Sequence, residues 1–229
     1  MQSLRIGDFQ GVRYNIQSHS DDFEIYNVVS DPQETHNLAG DKKIAALQQQ
    51  MKNSVLQLRR PDSNAPRPYD NELIPAISVS ATAPGVEWSA YKDKFPWVPE
   101  LTALSPTSRG ITKSPTLTIR PRDKNIGLLF TGYLSAPADG DYTIYLTADS
   151  GALLRIHEAT VIDEDFGYIG GTEKSGAIKL KKGLHPFRFY YARGTKGKPA
   201  MKLEWSGPGI EKQSIPDAAF SNDGILSNK

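Results

Sequence analysis

Carboxylates and aromatic rings are concentrated in one stretch of the chain, between residues 149 and 171. Asp149-Ser150-Gly151 are three residue types that favour a tight turn. Farther along, a polar and aromatic loop precedes a pair of glycines. Carboxylates accept hydrogen bonds from hydroxyl groups and exposed rings stack on sugars, so this loop has the composition of a glycan site. Its candidate residues are Asp163, Asp165 and Tyr168. The alternative is a solvated loop in which Phe166 packs inward.

Other reactive side chains do not converge in the sequence. The four histidines, at positions 19, 36, 157 and 185, lie in predicted loops and strand faces, and no spacing predicts the three or four ligands of a catalytic metal. A basic strip could bind sulfated glycans, but we favour a solvated strand face; its members are Lys179, Lys181, Lys182 and Arg188.

Composition excludes several classes of function. With 27 basic and 26 acidic residues among 229, the chain has no overall field to recruit nucleic acid or an anionic membrane. The absence of cysteine rules out disulfides, cysteine-bound zinc and a cysteine nucleophile. No apolar run approaches the roughly 20 residues that span a bilayer. A strand-like pattern starts directly after Met1, which favours a fragment with an added Met1.

Alternating apolar residues predict the strands that position the candidate residues. Tyr142, Ile144, Leu146 and Ala148 alternate with polar residues, and the pattern resumes at Leu154 and Ile156. We interpret the two runs as a hairpin with Asp149-Ser150-Gly151 at its tip. Further short strands with frequent turns predict an antiparallel β-sandwich or barrel over residues 83–229, including one strand at Leu117 and Ile119.

The first 60 residues have a different pattern. Short antiparallel strands are predicted over residues 4–29, and a helix follows Asp41 with an apolar stripe from Ile44 to Leu58. Such a small α+β subdomain, residues 1–60, has little core of its own and should depend on a neighbour. Residues 61–82 are a proline-rich connector. The predicted fold class is mainly β: a small α+β subdomain followed by an antiparallel β-sandwich.

Residues 5–58 resemble the C-terminal subdomain of the sulfatases. The resemblance rests on Arg5-Ile-Gly-Asp-Phe9, on Asp31-Pro-Gln-Glu-Thr-His-Asn37-Leu38 and on the helix after Asp41. It implies a catalytic domain outside this chain as a partner. Sulfatases oxidise a cysteine or serine before x-Pro-Ser-Arg to formylglycine, but Ser105-Pro-Thr-Ser-Arg109 matches only in part and is interpreted as chance. We therefore assign no catalytic residue.

Residues 83–226 resemble the lectin-like β-sandwich first described in a toxin protective antigen. The matching motifs are Phe130-Thr-Gly-Tyr133, Pro137-Ala-Asp-Gly-Asp-Tyr142, Asp149-Ser-Gly151, Val161-Ile-Asp163, Gly183-Leu-His-Pro186, Phe189-Tyr-Tyr191 and Leu203-Glu-Trp205. The resemblance implies carbohydrate binding and adds Asp149 and Ser150 to the site. Sugar-binding members ligate calcium with two adjacent aspartates; with Ser150 in second place, Asp149 is expected to bind calcium weakly at most. The alternative is that Asp149 and Gly151 only build the turn.

Together these patterns predict the non-catalytic C-terminal region of a sulfatase that is targeted to a glycan, with a sulfated glycan among the candidates. By resemblance the protein is expected to be secreted or periplasmic. A sandwich that braces the enzyme without binding sugar is the alternative, and Ser150 favours it.

Overall fold

The computed structural model describes residues 1–59, 61–62, 64–166 and 169–224. The chain forms two compact units, Met1–Pro75 and Ala76–Lys229. The predicted division into residues 1–60, 61–82 and 83–229 stays a prediction. Among the described residues, no helix combines the length and the apolar character needed to cross a membrane.

The first unit contains a three-stranded antiparallel sheet and one described α-helix. The strands β1 (Gln2–Ile6), β2 (Phe9–Arg13) and β3 (Glu24–Asn27) lie in that order, and α1 spans Ala45–Leu58 after a 3₁₀ turn at Lys42–Ile44. Asp41 caps that turn through a 2.9 Å bond from the Lys43 amide to Oδ1. Gln48 joins α1 to the sheet, because its amide group both donates to and accepts from the Phe23 backbone at 2.9 Å.

Part of the proline-rich segment belongs to this unit. Tyr69 is 4% exposed, and its hydroxyl accepts a 3.0 Å bond from Gln2 Nε2. Arg59 forms a salt bridge with Asp70, with Nη2 2.8 Å from Oδ2. Residues 64–75 therefore add buried area to a unit whose sheet and helix alone are small.

The second unit consists of short strands connected by turns. In chain order they are β4 (Ala83–Pro84), β5 (Val86–Lys92), β6 (Ser108–Thr112), β7 (Ile126–Ala136), β8 (Gly140–Ala148), β9 (Gly151–Ile156), β10 (Ala159–Glu164), β11 (Glu173–Leu180), β12 (Gly183–Arg193), β13 (Met201–Gly207), β14 (Ile210–Ser214) and β15 (Phe220–Asn222). Within the described ranges, the larger sheet has the order β10-β9-β12-β7-β15-β4, with β5 paired to β7 and β6, and the smaller sheet has the order β11-β8-β13-β14. All pairs are antiparallel, which confirms the predicted mainly-β fold class with a sandwich.

The core lies between the two sheets. Tyr142, Ile144, Leu146 and Ala148 of β8 are at most 1% exposed, as their alternation predicts. On the larger sheet Phe130 stacks against Phe189 with ring centroids 6.0 Å apart. The chain enters and leaves this sandwich at adjacent points, because β4 pairs with β15 and Asn222 Nδ2 donates to the Pro84 and Gly85 oxygens at 3.1 Å.

The predicted hairpin around Asp149 is wrong. β8 pairs with β11 and β13, whereas β9 pairs with β10 and β12, so the two strands belong to opposite sheets. Residues 149–150 are an arch from one sheet to the other. The apolar faces of β8 and β9 both point to the core between the sheets, and this is why their alternation resembled that of a hairpin.

The strand predicted at Leu117 and Ile119 is also wrong. Leu117–Ile119 is a 3₁₀ turn capped by Thr116 Oγ1, which accepts a 3.2 Å bond from the Thr118 amide. Pro115 and Pro121 lie on either side. Neither proline can donate to a strand ladder, so the short segment between them curls instead of pairing.

A long segment covers part of the outward face of the larger sheet. Residues 93–104 form most of the connection from β5 to β6 and contain the 3₁₀ turn Leu101–Ala103. Phe95, Val98 and Leu101 pack in one cluster with apolar side chains of four strands, namely Tyr91, Leu129, Leu153, Tyr190 and Ala192. The outward face is therefore partly covered by the chain itself.

Candidate functional site

Three connections meet at one end of the sandwich, here called the loop end: residues 149–150, 165–172 and 194–200. The Asp149 amide donates to Ala200 O at 2.9 Å, and the Gly171 amide donates to Ala148 O at 2.8 Å. Gly170 lies so close to the arch that a Cβ there would be 2.6 Å from Asp149 O. The loop end is therefore a single packed surface built from both sheets.

The Asp149 carboxylate is fully engaged by groups of the protein. Oδ1 accepts from the Tyr191 hydroxyl at 2.5 Å and from the Ala200 amide at 2.9 Å, and Oδ2 accepts from Arg193 Nε at 3.0 Å. Burial and the bond to Asp149 raise the pKa of Tyr191, which keeps its hydroxyl a donor. Only 11% of the Asp149 side chain is exposed, so this carboxylate stabilises the arch.

Arg193 extends the same network into the β12–β13 connection. Its side chain is 1% exposed, and Nη2 donates to the Lys196 and Gly197 oxygens at 2.7 and 2.9 Å. The loop is thus folded around the guanidinium group, and the ion pair joins β12 in the larger sheet to the end of β8 in the smaller sheet.

The structure brings some of the predicted site residues together. Asp149 and the half-buried Ser150 form the arch, and Asp165 is beside it, since a Cβ at Gly151 would be 3.1 Å from Asp165 O. Asp163 is exposed within β10, opposite Leu153, and thus lies farther down the strand. Tyr168 lies outside the described residues.

Two exposed aromatic side chains belong to segments that approach the arch. Phe166 is 78% exposed, so the alternative in which it packs inward is wrong. Trp97 is 55% exposed and follows Phe95-Pro96 in the segment that covers the sheet. Their neighbours Asp165 and Val98 both approach Gly151, within 3.1 and 3.0 Å of a Cβ placed there. Sequence reasoning missed Trp97, although an aromatic residue between two prolines in a loop was a usable signal.

Glu100 holds the Trp97 segment in place. Its carboxylate accepts from Thr102 Oγ1 at 2.6 Å, from the Tyr190 hydroxyl at 2.8 Å and from Arg155 Nη1 at 2.8 Å. Burial opposes ionisation, but these three donors outweigh it and lower the pKa of Glu100 to about 2. At neutral pH the Glu100 carboxylate is therefore ionised, and it holds the segment that carries Trp97 to Arg155 of β9 and Tyr190 of β12.

The candidate basic strip, already less favoured than a solvated strand face, does not form one surface. Lys179 is on β11 of the smaller sheet and pairs with Asp141 at 2.8 Å. Arg188 is on β12 of the larger sheet and forms a salt bridge with Glu158. Because the strip is divided between two sheets and two acidic partners, it gives no support for a sulfated ligand.

Two of the histidines do converge, contrary to their spacing in the sequence. His157 Nε2 lies 2.9 Å from His185 Nδ1, and the residues are 7% and 0% exposed. His185 Nε2 bonds in turn to Lys181 O at 2.7 Å. The pair lies inside the sandwich and holds the β9–β10 turn to β12.

The loop end does not fit the calcium ion that the resemblance implies. Calcium needs six to eight oxygen ligands. Here Ser150 stands in place of a second carboxylate, and both Asp149 oxygens already accept bonds from protein donors, one of them a cation. Among the described residues, no three His, Cys, Asp or Glu side chains are grouped so as to hold a metal ion. Weak calcium binding at Asp149 stays an untested prediction.

Several solved structures are similar to part of this chain. The chain is similar to an anti-sigma factor domain-containing protein from Clostridium clariflavum, with 25% identity over 63% of this chain and 50% of that one and a TM-score of 0.48. It is similar to a second anti-sigma factor domain-containing protein, with 21% identity, 64% and 50% coverage and a TM-score of 0.50, and this likeness concerns the fold alone. The chain thus spans half the length of these two proteins.

A third solved structure is described as the PA14 sugar-binding domain from an RTX adhesin; the identity is 14%, the coverage 61% and 99%, and the TM-score 0.49. A search of curated proteins found no match. The family model of the PA14 domain matches residues 82–219, which is more than half of the chain and includes β4 to β14. The chain belongs to the PA14 domain family.

Proposed function

We propose that this chain is a non-catalytic carbohydrate-binding region whose PA14 sandwich binds a glycan at the loop end. The observation that carries the proposal is the pair of exposed aromatic side chains, Trp97 and Phe166, on segments that meet at Gly151. One exposed ring by itself is ordinary on a protein surface, and the proposal rests on the approach of both segments to the same glycine. The apolar faces of sugar rings stack on aromatic side chains. Sugar hydroxyl groups donate hydrogen bonds to carboxylates such as that of Asp165.

The two segments that carry these rings differ in how closely they pack against the sandwich. Trp97 lies between Phe95 and Val98, both of which pack in the outer cluster, so its backbone is held in place. Phe166 is on a longer connection between the sheets. A held Trp97 beside a second exposed ring suits a ligand with apolar faces, and it needs neither a metal nor a free Asp149.

We further propose that the chain is the C-terminal region of a sulfatase. The first unit supports this, because side chains of the sulfatase-like loop accept hydrogen bonds from backbone amides and so stabilise the loop. Asp31 accepts from the His36 amide at 2.8 Å, and Asn37 Oδ1 accepts from the Ile25 and Ala39 amides at 3.0 Å. The partner would be a catalytic domain, and a secreted or periplasmic site would give access to polymeric glycans. A bound glycan would raise the local concentration of that domain on its substrate.

A glycan array with the purified protein tests the binding function. We expect a defined set of glycans to bind, and Trp97→Ala or Phe166→Ala to weaken binding by about fivefold each, since one aromatic contact contributes about 1 kcal/mol. Tyr14→Ala is the matched control, because Tyr14 is also 55% exposed but lies in the first unit. Binding that is equal in all variants would put the site elsewhere.

The alternative function is a bracing module that binds no sugar. The internal use of the Asp149 carboxylate favours it, because a residue expected at a sugar site is instead structural. A native, folded protein with no signal on a broad array, natural and sulfated glycans included, would support bracing and overturn the binding proposal.

A further inference from the structure

A cation already pairs with Asp149, and it belongs to the protein. Arg193 donates from Nε to Asp149 Oδ2 and from Nη2 to the Lys196 and Gly197 oxygens, at 2.7 to 3.0 Å. One carboxylate and two backbone carbonyls therefore surround a single positive charge. These are the oxygen donors that protein calcium sites use. Part of the oxygen donor set of a hard-cation site is therefore present, and a guanidinium group occupies it.

We propose that the Arg193 guanidinium fills the structural role of a calcium ion at the loop end. It holds the arch through Asp149 and the β12–β13 connection through its two carbonyls, so it joins parts of the molecule that a bridging metal would join. Arginine does not lose its proton in proteins, so this charge is permanent. The inference concerns residues of this chain and holds whether or not a glycan binds.

A guanidinium group in place of a calcium ion changes how a ligand can be recognised. A metal ion at a protein surface can keep open positions for ligand oxygens, whereas Arg193 is 1% exposed and all three bonds of the cage point into the protein. A ligand at the loop end therefore cannot be coordinated by this cation. It would be recognised by side chains of the loops, and a chelator would have no effect on binding.

Removal of the guanidinium should convert the cage into a calcium site. Arg193→Gln removes the charge but keeps an amide donor, and Ser150→Asp supplies a second carboxylate beside Asp149. In thermal unfolding of the full chain, 10 mM calcium should raise the midpoint of the double variant by about 3–6 °C, the shift expected for a millimolar site. The native protein should show no shift with calcium or with EDTA. Isothermal calorimetry with calcium chloride should show uptake by the double variant alone.

Arg155→Ala is the matched control. Arg155 pairs with Glu100 in the same sandwich, but its partner is 45% exposed and its loss creates no cage of carbonyls. This variant should lose some stability and gain no response to calcium. An equal rise with 10 mM magnesium would contradict a calcium-type cage, because magnesium demands a smaller octahedral site.

The remaining outcomes also test the proposal. Calcium uptake by the native protein, or a folded double variant without any calcium response, would overturn the proposal. If the double variant unfolds in chelator, refolding in 10 mM calcium supports the proposal and continued unfolding counts against it. None of these readouts uses a glycan, so a failure here is distinct from a failure of the binding function.

Discussion

His157 and His185 share one buried hydrogen bond, and its surroundings determine where the protons lie. His185 Nε2 faces the Lys181 carbonyl, which accepts only, so that nitrogen carries the hydrogen. His185 Nδ1 is then an acceptor, and His157 Nε2 donates to it. Both rings are neutral in this arrangement. A proton added to His185 Nδ1 would leave two donors facing each other, and a proton added to His157 would place a charge in a buried position. The pair is therefore stable only while both rings remain uncharged.

Acid should weaken the fold through this pair. Burial and the neighbouring His185 lower the pKa of His157 to about 3, from an ordinary value of 6.5. Below pH 6.5 the unfolded chain takes up a proton that the folded chain refuses until about pH 3. The free energy of unfolding should thus fall with decreasing pH in that window, by at most about 1.4 kcal/mol per pH unit from this residue.

Urea denaturation at several pH values from 7.5 to 4.5 measures the slope. His157→Asn should flatten it, and asparagine tolerates the backbone of this position, which has φ +52°. His36→Asn, at an exposed loop residue, is the control for the exchange of histidine for asparagine. Equal slopes in the native protein and His157→Asn would contradict the assignment.

At this scale the sequence predicted burial well but pairing poorly. The alternation along β8 gave the correct buried residues, because a strand presents every second side chain to one face. His157 and His185, or Asp149 and Arg193, are 28 and 44 residues apart, and only the register of β9 and β12 brings such residues together. Asp163 and Asp165 were chosen from composition and stay predictions, and neither the arch nor the partners of Asp149 were predicted.

Among the larger elements, the segment 93–104 depends on one carboxylate. Glu100→Gln removes the charge that binds Arg155 and weakens the acceptor for Tyr190. We expect the segment to loosen while the strands stay intact. Trypsin should then cleave at Lys92 or Lys94 several-fold faster, and glycan binding through Trp97 should weaken. Circular dichroism should not change.

Glu211→Gln is the control for this loss of charge, since Glu211 is exposed on β14. It should leave proteolysis at its native rate. If Glu100→Gln is also cleaved at the native rate, the apolar anchors Val98 and Leu101 hold the segment without help from Glu100.

The arch at Asp149 shows why element connectivity was harder to predict than element type. A hairpin and an arch both place two apolar strands around a polar turn, and the sequence pattern is the same. What separates them is the partner of each strand, which lies far along the chain: Arg188 opposite Arg155 in one sheet, and Leu203 opposite Leu146 in the other. The strand prediction at Leu117 was wrong for a more local reason. The flanking prolines prevent strand pairing even though the apolar residues alternate.

For the molecule as a whole, the two units should differ in independence. A protein of residues 76–229 carries the complete sandwich core and should fold alone. Residues 1–60 lack Tyr69 and Asp70, which complete the first unit, and should not fold alone. Circular dichroism should show a cooperative melt for residues 76–229 and none for residues 1–60. Residues 1–75 are the comparison, and they should contain more helix than residues 1–60.

A cooperative melt of residues 1–60 would contradict the view that this sheet and helix need further contacts. Failure of residues 76–229 to fold would mean that the sandwich depends on segments outside it.

The neighbouring positions of β4 and β15 have a mechanical consequence. Ala83 pairs with Asn222 and Pro84 with Ser221, so the strand ends that lead out of the sandwich lie at the same end of the ladder. A force that pulls on the two flanking segments would act on these few pairs one after another, as a zipper opens, and would not shear the long strands β7 and β12. Under tension the sandwich core would bear no force until the pairing of β4 with β15 broke. Until then the folded sandwich would lie to one side of the stretched chain, with its loops accessible.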